Sequence, residues 1–83
     1  MIALGDKLSN VRAMHRDYQA IGEELWQRFN VKDPVMQGKY YCGLANVFSA
    51  DEKIAGTPEC EEYAKLCAAL FHAERDADGN LTV

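Results

Sequence analysis

Three residues near the amino end carry side chains from which a metal or nucleotide site is built. Asp6 offers a carboxylate, Lys7 an ammonium and Asn10 a carboxamide, all within the stretch "GDKLSN". A divalent cation takes the carboxylate as a ligand, and a nucleotide can engage the amide and the ammonium. On a helix, Asp6 and Asn10 stand one above the other because they are four residues apart. With Ala13 and Asp17 they form a strip about a third of a turn from the apolar side. The bland alternative is a solvated helix face. Against it stands the grouping of three different chemistries within a turn and a half.

The elements that must position this strip are helical. Leu4, Leu8, Val11, Met14, Tyr18, Ile21 and Leu25 recur at steps of three and four, which is one face of a helix. Gly22 is its weak point, so "EELWQRFN" either continues the helix or bends away, with Leu25, Trp26 and Phe29 pointing inward. "NVKDP" is a break, after which Asp33 caps a helix opening at Pro34. Met36, Tyr40, Leu44, Val47 and Phe48 form its expected apolar stripe, and Gly43 is either a point of close helix approach or a tolerated weak spot. Thr57 and Pro58 repeat the cap logic, with Glu59, Glu61 and Glu62 at the positive end of the helix dipole. Tyr63, Leu66, Cys67, Leu70 and Phe71 make the third stripe. The expected fold is all-α: a small bundle of three to four helices over residues 1–74, followed by a polar, frayed tail at 75–83.

Composition bounds the function. Eighty-three residues make one domain that buries only about 60% of its unfolded surface, so help from a partner is expected. A formal charge of −4 argues against duplex nucleic acid as a partner. No apolar run approaches the roughly 18 residues needed to span a bilayer. "MIALGDKLSN" lacks the basic and long apolar regions of a secretory signal, and Cys42, Cys60 and Cys67 are an odd number with no C-x-x-C. A reducing compartment with buried thiols, by default the cytoplasm, is the expectation. In the tail, Asp76, Asp78 and Asn80 fall at alternate places of a calcium loop. Leu81 stands where that loop needs Gly, however, and no bidentate Glu follows.

The stretch "ALGDKLSNVRAMHRDYQAIGEELWQRFN" resembles the closing helices of HD-domain metal-dependent phosphohydrolases, the superfamily that includes the ppGpp hydrolases. Their pattern on this helix is an aliphatic residue, Ala or Gly, Asp, a basic residue, Leu, His or Ser, then Asn. Asp6, Lys7, Leu8, Ser9 and Asn10 match it in order, and "GKYYCGLANVF" extends the likeness, which runs from about Ile2 to Phe71. The resemblance implies that Asp6 is a metal ligand, that Asn10 contacts the nucleotide, and that Lys7 is a weaker candidate for phosphate neutralisation. The family chemistry is hydrolysis, in which a Mn²⁺-like ion polarises a phosphoryl oxygen and supplies the attacking water.

The family also needs a His and a His-Asp pair, on helices expected before residue 1. His15 and His72 do not replace them: neither is followed by Asp, and both read as helix-surface or boundary residues. One carboxylate does not hold a catalytic metal tightly. The expectation is therefore a truncated HD-type segment with no catalytic residue of its own and no tightly bound cofactor. Its partner would be a second copy or a chain supplying the missing helices. The alternative is a non-catalytic helical interaction or oligomerisation module.

Overall fold

A computed structural model describes residues 4–28 and 33–83. Among the described residues four helices follow one another: α1 (Leu4–Ile21), α2 (Glu24–Arg28), α3 (Pro34–Ala50) and α4 (Pro58–Phe71). A two-stranded antiparallel hairpin, β1 (Glu74–Arg75) and β2 (Leu81–Thr82), closes the described chain. The small all-α bundle expected from periodicity is what forms. Among the described residues no helix is long and apolar enough to cross a membrane.

Local chemistry sets the helix ends. Gly22 takes a left-handed conformation, φ +64°, and its N–H donates to the Tyr18 carbonyl at 2.7 Å. A residue without a Cβ adopts that conformation at no steric cost, so the chain stops α1 and turns into the short α2 there. Asp33 accepts hydrogen bonds from the Val35 and Met36 N–H groups, and Thr57 accepts from Cys60 N–H, each just before a proline at the first helical position. Both caps stand where the sequence places them. Phe29 lies outside the described residues, as does most of the "NVKDP" break.

Helix α4 is the centre of the packing, touching α1 on one side and α3 on the other. Leu8, Val11 and Met14 of α1 and Tyr63, Cys67, Leu70 and Phe71 of α4 are buried as their periodicity predicts. An Arg12–Glu62 pair, with Arg12 Nε 2.6 Å from Glu62 Oε2, bridges α1 and α4 at the surface. Tyr63 donates its hydroxyl to the Tyr41 carbonyl of α3 at 3.0 Å. Burial pushes that phenol far above its ordinary pKa, which keeps it a neutral donor.

The stripe expected on α3 requires correction. Leu44 and Phe48 are buried, but Met36, Tyr40 and Val47 are 60%, 50% and 63% exposed. The buried face is instead Gly38, Tyr41, Cys42, Leu44, Ala45 and Phe48. This helix is apolar nearly all round, so period alone does not choose the face. Small residues decide, because they let α4 come close. A Cβ added at Gly38 would lie 3.0 Å from both Cβ and Cγ of Phe71, whereas nothing lies within 4 Å of one added at Gly43. The close approach falls at Gly38, not at Gly43.

The carboxy-terminal stretch is the second difference. Residues 75–83 are expected to fray, yet β1 and β2 pair with Glu74 opposite Thr82 and Arg75 opposite Leu81. Leu81 is buried in the core. The Asn46 carboxamide donates to the Leu81 carbonyl at 3.0 Å and accepts from the Leu81 N–H at 2.8 Å, as a neighbouring strand would. Asp76 organises the turn by accepting from the Asp78 and Asn80 N–H groups, both at 2.9 Å.

The two glycines of α3 yield a paired prediction. Gly38→Ala pushes a methyl group against the root of Phe71, which cannot swing aside, and should destabilise the fold by about 1–3 kcal/mol. Gly43→Ala meets open space and should stabilise it by up to about 1 kcal/mol through helix propensity. Urea denaturation of the two variants checks the opposite signs.

Candidate functional site

The amino-terminal half of α1 carries the candidate residues. Leu8 and Val11 anchor the helix in the core, and this rotation leaves Asp6, Ser9 and Asn10 exposed with Lys7 half-buried. Among the described residues neither Asp6 nor Asn10 makes a side-chain hydrogen bond, while Arg12 on the same helix is committed to Glu62. The strip thus projects its carboxylate and carboxamide into open space from a helix fixed by packing beneath it.

Lys7 is tied to α3. Its Nζ lies over the ring of Tyr40, 5.4 Å from the centroid, a cation–π contact. Tyr40 is thereby brought against the end of the Lys7 side chain, a placement that sequence reasoning missed by assigning Tyr40 to the core. Its neighbour Tyr41 is indeed buried, edge-on to Tyr40 at 5.1 Å and stacked on Phe71 at 6.0 Å. Trp26, also read as core, stacks on the other side of Phe71 at 5.4 Å. A run of aromatic contacts therefore extends from Trp26 through Phe71 and Tyr41 to Tyr40 at the surface. In an i, i+1 pair on a helix the two rings must diverge, and that divergence was the available signal.

The histidines sit apart from the strip in their contacts. His72 is exposed in a left-handed conformation, φ 55°, capping α4. Its ring packs edge-on against Tyr18 with centroids 6.3 Å apart, and Tyr18 donates to Glu23 at 2.7 Å. His15 is half-buried on α1. Two cavities lie elsewhere: a pocket of about 120 Å³ beside Trp26, Phe71 and His72, and a groove of about 330 Å³ between α3 and the hairpin. Asp6, Lys7 and Asn10 line neither.

Among the described residues no three His, Cys, Asp or Glu side chains gather so as to hold a metal ion. Asp6 alone does not fit the divalent ion that the HD resemblance implies, since such ions take several ligands with a supporting shell. What the arrangement offers is narrower: one free carboxylate, one free carboxamide, and an ammonium held against an exposed tyrosine.

No protein-family model, curated protein or solved structure matches this chain.

A single exposed carboxylate predicts weak metal binding. Mn²⁺ titrated into the purified chain should bind no more tightly than it does to the Asp6→Ala variant. Isothermal calorimetry on both checks this, and a clear loss of affinity on substitution would require further ligands near Asp6.

Proposed function

We propose that this chain is the closing segment of an HD-type nucleotide phosphohydrolase centre and does not hydrolyse nucleotides by itself. The observation that carries the reading is the uncommitted Asp6–Asn10 strip on a packed helix, in the order the family pattern requires. On this reading Asp6 contributes one ligand to a metal site completed by residues outside those described. Asn10 and Lys7 face the nucleotide, and Tyr40 provides an apolar surface beside them. The open position of the strip agrees with such a division: the walls of the site, like its other ligands, come from elsewhere. The natural substrate class is nucleotides carrying pyrophosphate groups, by resemblance to the ppGpp hydrolases.

The test is complementation in trans. Mixed with helices that carry a His and a His-Asp pair, the chain should support Mn²⁺-dependent hydrolysis of ppGpp or a related nucleotide. Asp6→Ala should lower that rate by about 100-fold or more. The chain alone should show no activity above the Asp6→Ala control. Hydrolysis by the unaided chain that depends on Asp6 would contradict the reading.

The exposed face of α3 favours a second function, that of a helical interaction module. Met36, Tyr40 and Val47 follow one another at spacings of four and seven, so they share one side of the helix. Burying about 300 Å² of apolar surface at about 25 cal/mol per Å² gives a gross gain of about 7.5 kcal/mol. Association itself costs about 4–15 kcal/mol, so only a weak homodimer follows from this stripe alone. Sedimentation equilibrium should show concentration-dependent dimers at high micromolar concentration, lost on Met36→Glu with Val47→Glu. A strict monomer at those concentrations would remove the second reading and leave the first untouched.

A further inference from the structure

Two of the three cysteines face one another across the α3–α4 seam. The helices run antiparallel: Gly38 meets Phe71 at one end, and Ser49 Oγ lies 3.8 Å from Cys60 Sγ at the other. Cys42 is one turn in from Gly38, and Cys67 is one turn in from Phe71. Counted from Ser49 and Cys60, each lies two turns away along its own helix. Equal steps from both fixed contacts place Cys42 opposite Cys67. Cys67 Sγ lies 3.8 Å from the carbonyl oxygen of Tyr41, the residue next to Cys42. Gly38 and Ala45 on α3 and Ala64 on α4 are small buried neighbours along this seam, which favours the close helix approach that an interhelical disulfide needs.

Access is unequal. Cys42 lines the groove of about 330 Å³ together with Lys39, Gly43, Asn46 and Leu81, whereas Cys60 and Cys67 do not. Gly43 places no side chain over it. Cys42 is 1% exposed and lies against the floor of this groove, so a peroxide reaches it only as the α3–hairpin contact opens.

We infer that Cys42 and Cys67 are a dithiol modification site that hydrogen peroxide converts to an intramolecular disulfide bridging α3 and α4. The Cys42 thiolate attacks the peroxide and breaks the O–O bond; it becomes a sulfenic acid, and the leaving oxygen departs as water after taking a proton. Cys67 then attacks the sulfenic sulfur, the S–O bond breaks, and the hydroxyl leaves as a second water with the Cys67 proton. Two thiols are oxidised and one peroxide is reduced to two waters. The division of roles agrees with the environments. Cys42 lines the groove and Cys67 does not, which makes Cys42 the first to meet a peroxide, and the hydrogen bond between the two thiols holds them together for the second step. Cys60 stays outside the pair beside Ser49.

The full chain, treated with a small excess of hydrogen peroxide under native conditions, should lose the mass of two hydrogen atoms and remain a single chain. Proteolysis without reductant should join the Cys42 peptide to the Cys67 peptide, and dithiothreitol should separate them. Cys60→Ala should leave the reaction intact, while Cys42→Ala and Cys67→Ala should each abolish it with helical circular dichroism retained. If a variant loses its helical signal, the peptide map of the unsubstituted chain decides alone. Oxygen addition without hydrogen loss, a bridge that includes Cys60, or no reaction in the folded chain overturns the proposal.

Discussion

The close approach of α3 and α4 is the constraint from which the rest of the structure follows. It is possible because the facing positions are small, Gly38, Cys42 and Ala45 against Ala64 and Cys67, with Phe71 lying directly on Gly38. Once the helices are that near, Tyr63 reaches across to the Tyr41 carbonyl, and Phe48 packs edge-on to Tyr63 at 5.5 Å. Phe71 is then held between Tyr41 and Trp26, which ties the short α2 to the same core. Large side chains on the seam would separate the helices and dismantle each of these contacts.

The same seam determines what is left outside. With small residues turned inward, Met36, Tyr40 and Val47 must turn outward on α3, and Tyr40 comes to rest beneath Lys7. On the other side of α4, the burial of Leu8, Val11 and Met14 fixes the rotation of α1, and with it the exposure of Asp6 and Asn10. The proposed function depends on that rotation. A carboxylate already paired across the surface, as Glu62 is with Arg12, would be less free to take an external ligand.

Much of this was legible in the residue pattern, and the exceptions share a cause. The α1 and α4 faces were readable because large apolar residues occupy one side only, and the caps at Asp33 and Thr57 because capping is a local interaction. The face of α3 was misread because bulk was taken as the marker of burial, whereas the packing turns on the absence of bulk at Gly38 and Ala45. The hairpin was missed because its anchor is remote: Asn46 recognises Leu81 across thirty-five residues, and no local pattern encodes that pairing. That Asp6 and Asn10 stand exposed on one side of α1 was visible from their spacing. The placement of Tyr40 against Lys7 was not, since a contact between α1 and α3 has no sequence period.

The central claim is that Asp6 and Asn10 present an inherited metal and nucleotide face. It is tested most directly by Mn²⁺-induced broadening of backbone amide resonances in isotopically labelled chain complexed with helices that carry the His and His-Asp motifs. The account predicts selective broadening in the first two turns of α1 and at Tyr40. Broadening centred on the Asp76–Asn80 turn instead, or none beyond that seen for the chain alone, would contradict it.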